Sequence, residues 1–237
     1  MSIDNLVTIA SCINNEKLEK FNSNKQRRKI GIMGGTFNPI HYAHLATAEY
    51  IRCKYHLDKI IFIPTGEPPH KLVRVISKQD RYNMALLSTL TNDDFIVSDI
   101  EIKRNKTTYT IDTLRYLKEE YPQIDIYFIT GADTICEIDK WKDVEENLKL
   151  ATFIATTRPG ISVLTAQEKI QELEEKYEAK ILSVYVPSLD ISSTYIRNLV
   201  KENKSVRYLV PENVDEYISE KNLYEKNLYD INVEIKV

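Results

Sequence analysis

Two histidines three positions apart, His41 and His44, follow Gly34, Gly35, Thr36 and Phe37 in the stretch GGTFNPIHYAH, residues 34 to 44. Imidazoles at this spacing share one helix face. At a helix start the main-chain N–H groups lack partners and the helix dipole is positive, so the pair would donate to an anion, phosphate above all. The glycines carry no Cβ, which lets a ligand approach the main chain. A tight Gly-Gly turn before a helix with two incidental histidines is the plainer reading. The stretch is not the six-position dinucleotide glycine pattern and lacks the Lys-Ser/Thr ending of a Walker loop.

A second anion-binding pattern stands near the other end of the chain, in DISSTYIR, residues 190 to 197. Ser192 and Ser193 are good helix N-caps. The amides after them, including that of Thr194, face outward along the helix axis. Side chains on a helix lean towards its N-terminus, so Arg197, one turn on, reaches back to the same point. Its guanidinium can grip phosphate through two bonds. A capped surface helix with a solvated arginine is the alternative.

Strand-like runs must place these residues. KIGIM (29–33), KIIFIP (59–64), FIVSDI (95–100), IDIYFIT (124–130), ATFIATT (151–157) and AKILSVYV (179–186) alternate with helix-like runs. Met84, Leu87 and Leu90 recur at helical spacing after the second run, and Leu114, Leu117 and Tyr121 after the third. PENVDEYISEKN predicts a last helix with Pro211 in its opening turn. Such alternation predicts an α/β protein with a Rossmann-like, doubly wound parallel sheet. Buried parallel strands are apolar runs, as IIFI, IYFI and TFIA are. Open parallel sheets bind ligands beyond the carboxyl ends of their strands, where both anion motifs fall. Residues 1–28 read as an N-terminal appendage, disordered in part, with helix around EKLEKF. The domain proper runs from 29 to 224. The tail from 225 to 237, LYDINVEIKV at its end, fits a terminal strand or a contact within a homo-oligomer.

Composition narrows the partners. The 237 residues are 43% hydrophobic and 28% charged, with a net charge of −3. That gives core enough for one domain and no global basic field for duplex nucleic acid. Three scattered cysteines, Cys12, Cys53 and Cys136, suit a reducing cytoplasm. The opening residues make a poor signal peptide, and no apolar run approaches the ~20 residues of a membrane span. The four histidines form no zinc set, which leaves His56 structural or exposed.

The HxxH of His41 and His44 resembles the signature of the HxGH nucleotidyltransferase superfamily, and GGTFNPIH narrows the likeness to the bacterial nicotinate-mononucleotide adenylyltransferases. The chain departs from many members at Asn38, where they carry Asp, and at Ala43, where they carry Gly. The resemblance covers roughly residues 29 to 224 and implies a nucleotidyltransferase-type fold. It assigns ISSTYIR to the ATP phosphates. It places Lys71, in IPTGEPPHK, at the phosphate or carboxylate of the mononucleotide. Tyr109 and Thr110, in TTYTIDT, fall at the nicotinate nucleotide, with Thr108 a weaker match. In GADTICEIDKW, Asp133 falls on a ribose and Trp141 on the pyridine ring, where a flat ligand stacks well. Arg158, in ATTRPG, lies on the mononucleotide side. The implied ATP-binding set is Gly34, Gly35, Thr36, Phe37, Ser192, Ser193, Thr194 and Arg197. Thr36 is shared with the mononucleotide, and His41, His44 and Arg197 act on the reacting phosphates.

The implied reaction is adenylyl transfer from ATP to nicotinate mononucleotide, in NAD biosynthesis. The attacking phosphate is already ionised, so alignment and charge neutralisation suffice. Mg²⁺ is expected on the substrate phosphates rather than in a protein cage. The histidines and Arg197 leave open the amidated mononucleotide or phosphopantetheine as acceptor. A catalytically silent nucleotide sensor is a third reading.

Overall fold

The computed structural model describes residues 1–24, 26–67, 75–157, 163–187 and 189–225. Lys71, Arg158 and the tail beyond Glu225 lie outside the described residues. Six strands form one sheet: β1 (Arg28–Gly35), β2 (Lys59–Pro64), β3 (Phe95–Val97), β4 (Ile124–Gly131), β5 (Thr152–Thr157) and β6 (Ile181–Tyr185). Their order is β3-β2-β1-β4-β5-β6, and every pairing is parallel. This is the doubly wound arrangement expected from the apolar runs.

Strand alternation divides the core into two layers. Ile60 and Phe62 of β2 join Met33, Val97 and Ile154 on one face. Ile61 and Ile63 join Ile30, Ile32 and Phe153 on the other. The first layer is covered by α2 (Tyr42–Tyr55), α3 (Lys78–Thr89), α8 (Ser193–Lys201) and α9 (Glu212–Glu220). The second is covered by α4 (Thr110–Glu120), α5 (Ala132–Cys136), α6 (Val144–Leu150) and α7 (Val163–Tyr177). Each fully buried Ile or Phe in these layers contributes about 1.5–3 kcal/mol.

At the N-terminus, α1 (Ile3–Ser23) is one continuous helix, longer than the segment around EKLEKF. Ile3 and Ala10 pack into the first layer and Phe21 into the second, so α1 crosses the β3 edge of the sheet. Asn14 sits at the crossing, 4% exposed. Its amide nitrogen donates to the Val97 carbonyl at 2.9 Å, and its oxygen accepts from the Val97 N–H at 2.8 Å. A side-chain amide thus takes the place of a neighbouring strand, satisfying edge groups that are costly to leave unpaired. Lys17 adds bonds to the carbonyls of Thr89 and Asn92 at 3.1 and 2.8 Å. No helix among the described residues is long and apolar enough to cross a membrane.

Candidate functional site

The sheet reverses its order at β1, which has β2 on one side and β4 on the other. A crevice opens there, beyond the strand ends. The loop after β1 enters it through an unusual backbone. Phe37 has φ 49° and Asn38-Pro39 is a cis peptide. A Cβ on Gly35 would stand 2.9 Å from the Phe37 ring. Gly35 is therefore bare at least to admit that ring, and its main chain stays half-exposed. Gly34 is exposed and stays available. The Phe37 ring is 3% exposed and meets His44 edge-on at 5.1 Å, so any ATP contact from Phe37 is through its main chain.

His41 stands at the N-cap of α2, and the His44 ring bonds back to its main chain. Their rings stack at 3.7 Å with planes 27° apart. His44 Nδ1 accepts from the His41 N–H at 3.2 Å. A neutral His44 then carries its proton on Nε2, which makes that nitrogen the outward donor. The aromatic floor and the cap hold both rings at the start of α2, where an anion is favoured.

The second motif is fastened to the first. Ser192 caps α8, its hydroxyl accepting from the Tyr195 N–H at 3.1 Å. Ser193 Oγ donates to the Pro39 carbonyl at 2.8 Å. Arg197 donates from Nη1 to the Asn38 carbonyl at 2.8 Å and from Nη2 to Thr194 Oγ1 at 3.1 Å. The hydroxyls of Ser193 and Thr194 are thus engaged within the protein, and a phosphate would meet their main-chain N–H groups. Two of the five guanidinium N–H donors serve these bonds. The first turn of α8 and the start of α2 share one loop.

Asn38, 6% exposed, accepts at Oδ1 from the Tyr224 hydroxyl at 3.0 Å. An amide suits this neutral bond without a buried charge, which accounts for Asn in place of Asp. Burial pushes the Tyr224 phenol well above the usual range, keeping it a donor. Thr36 offers its carbonyl to Arg81 Nη1 at 2.8 Å. Arg81 and Tyr224 were not singled out from sequence. Arg81 stands three positions before Met84, on the apolar face of its helix, and a cation there is the signal.

On the other side of the crevice Tyr109 caps α4 and is half-buried, as is Thr110 at its first position. Lys142 Nζ lies 4.9 Å from the Tyr109 ring centre, which draws the start of α4 to the segment holding Trp141. The indole is half-buried, edge-on to Phe128 at 5.9 Å and to Phe153 at 6.3 Å. Asp133 is exposed in the first turn of α5, beyond the end of β4. Thr108 is buried, and its N–H and hydroxyl both bond the Glu67 carbonyl, at 3.0 and 3.3 Å. It pins the loop rather than facing a ligand. His56 is exposed and closes α2 in a left-handed conformation, φ 52°.

Among the described residues no group of three or more His, Cys, Asp or Glu is placed to hold a metal ion. The site's polar groups are donors: imidazoles, a guanidinium and two helix starts. They suit a polyanion that brings its own cation.

Comparison with known proteins bears on the family and the fold. Residues 32–199 match the family model described as Cytidylyltransferase-like. A Thermoanaerobacter protein named "Probable nicotinate-nucleotide adenylyltransferase" is 49% identical over 201 residues, 84% of this chain and 95% of its own. A Moorella thermoacetica protein of the same name is 48% identical over 202 residues, 84% of this chain and 93% of its own. The solved nicotinic acid mononucleotide adenylyltransferase of Plasmodium falciparum, complexed with NaAD, superposes with a TM-score of 0.68 at 23% identity. It covers 83% of this chain and 97% of its own, a likeness of fold.

Proposed function

Because this chain belongs to the nicotinate-nucleotide adenylyltransferase family, we propose that it transfers the adenylyl group of ATP to nicotinate mononucleotide. The products are nicotinate adenine dinucleotide and pyrophosphate, a step of NAD biosynthesis. The observation that carries the site assignment is the fastening of α8 to the loop of the histidines, through Arg197–Asn38 and Ser193–Pro39. It joins the two stretches whose sequences suit anion binding, and this supports the reading.

A phosphate oxygen of the mononucleotide attacks the α-phosphorus of ATP. The bond from that phosphorus to the β-bridging oxygen breaks, and the electron pair leaves with pyrophosphate. His41 and His44 donate to the reacting phosphates. Arg197, with the N–H groups of Ser193 and Thr194 behind the Ser192 cap, holds the β and γ phosphates. Gly34, Gly35, Thr36 and Phe37 line the nucleotide with their main chain. Fixed donors of this kind stabilise charge without reorganising during reaction. Tyr109, Thr110, Asp133 and Trp141 take the mononucleotide, together with Lys71 and Arg158. Mg²⁺ would ride on the phosphates and neutralise the leaving pyrophosphate. The three cysteines are free thiols, which supports a cytoplasmic setting.

The test is pyrophosphate release from ATP and Mg²⁺ with nicotinate mononucleotide, run beside its amide. Strong preference for the acid is expected. ATP binding without release would make the chain a sensor, and equal use of the amide would overturn the acceptor assignment.

A further inference from the structure

Gly66, just past β2, is held from both sides by buried charged groups outside the proposed phosphate contacts. Arg81, 1% exposed, donates from Nη2 to the Gly66 carbonyl at 3.1 Å and from Nη1 to the Thr36 carbonyl. Glu101, 8% exposed, has its carboxyl beside the Gly66 N–H and the Thr108 hydroxyl, both of which favour its charged form. It accepts from Thr113 Oγ1 at 2.9 Å, and Arg104 Nη1 donates to that oxygen at 3.0 Å. Nothing larger than glycine fits between them, because a Cβ on Gly66 would lie 2.1 Å from the Glu101 carbonyl oxygen.

We propose that Arg81 and Glu101 are positioning residues that grip the Gly66 peptide from opposite sides and so fix the gap between the ATP loop and the mononucleotide loops. Arg81 reaches Thr36, on the ATP side. Glu101 reaches Thr108 and Thr113, which flank Tyr109 and Thr110. The neighbouring Glu67 carbonyl takes both bonds from Thr108, so the loop after β2 and the start of α4 move as one. Every link runs through main chain or a hydroxyl, and the two charges share one peptide instead of pairing with each other. Burying charged groups is costly without such bonds. The arrangement suits a reaction between two bound phosphates, whose rate depends on their separation. A displacement of about 1 Å there costs on the order of a hundredfold.

The inference rests on the proposed adenylyl transfer. Its test uses the full chain with Arg81→Lys, Glu101→Gln and the double variant, in steady-state pyrophosphate release with each substrate varied. Each single change should lower kcat by about ten- to a hundredfold, with either KM moving less than about threefold. The double variant should be no worse than about the poorer single one, since both act on one peptide. Kcat within twofold of wild type in folded single variants would overturn the role, as would losses that multiply in the double variant. Should Arg81→Lys fail to fold, Thr113→Val, which removes a hydroxyl from the Glu101 carboxylate at nearly constant volume, replaces it, with the same expectation and the same overturning result. Wild-type chain assayed alongside separates the two ideas. A silent wild type sinks the reaction and this role with it. An active wild type with unimpaired variants sinks the positioning role alone.

Discussion

Arg197 Nη1 lies 2.8 Å from the main-chain carbonyl oxygen of Asn38, a residue 159 positions earlier in the chain. The bond fixes the guanidinium over the loop that leads to the histidines, with Thr194 Oγ1 as its second anchor. Lysine offers a point charge and cannot serve both anchors and a phosphate in one plane. Arg197→Lys should therefore raise the KM for ATP by roughly ten- to a hundredfold, with an unchanged circular dichroism spectrum. A KM within twofold of wild type would remove Arg197 from phosphate binding.

His44→Ala deletes the Nε2 donor and the ring nitrogen that accepts from the His41 N–H at the helix start. Pyrophosphate release should fall by about a hundred- to a thousandfold. The lost cap should cost about 1 kcal/mol of stability, leaving the fold intact. Near-normal kcat would exclude His44 from the chemistry.

Trp141 separates the substrates. Its edge is anchored on Phe128 and Phe153. Trp141→Leu should raise the KM for the mononucleotide by about tenfold, the worth of a good aromatic contact. The KM for ATP should hold. Equal movement of both constants would show that the indole only supports the fold.

Asn14→Ala leaves the N–H and carbonyl of Val97 without the amide that meets them. Urea unfolding should register a loss of about 1–3 kcal/mol, while kcat stays at the wild-type value. An unchanged midpoint would mean that solvent replaces the amide at no cost.

Alkaline stability tests the α3–α9 contact. Tyr217, 1% exposed, donates to Asp80 Oδ1 at 2.8 Å and accepts from Asn83 Nδ2 at 2.9 Å. Burial, with Asp80 beside it, pushes its phenol up to about 12. A pKa raised on folding means stability that is whole below about pH 10 and is lost as pH climbs through about 12. Tyr217→Phe should be less stable at pH 7 by about 1 kcal/mol and should decline less steeply between pH 10 and 12. The slope that remains includes Tyr55, Tyr82, Tyr121 and Tyr224, whose phenols burial also raises. Parallel curves for the two proteins would refute the assignment.

The sheet was legible because its strands are uninterrupted apolar runs, and buried parallel strands have no other easy composition. Their ends were less so. FIVSDI contributes only Phe95–Val97, since the chain turns away at Ser98 after its N–H bonds the Phe62 carbonyl. The fastening of Arg197 to the loop before the histidines agrees with placing two anion motifs at strand ends of one sheet. Residues that grip main chain left no such trace. Arg81 bonds two carbonyls, Tyr224 one amide oxygen, and Glu101 a hydroxyl. Those partners come from distant segments, and no fixed spacing announces them. The course of α1 was hidden for a related reason. Its buried positions include Ala10 and Asn14, and Asn14 reads as a core residue only once β3 is known to be the outermost strand.

That placement of Asn14 bears on how copies of this protein can associate. A sheet whose outer rim is already stoppered by an amide of its own chain cannot be extended there by another molecule. Any assembly on that flank must bind through helix surfaces. A shortened version beginning near Arg28 would unplug the rim and expose it to self-adhesion, so stickiness, more than lost turnover, should be the mark of the missing helix.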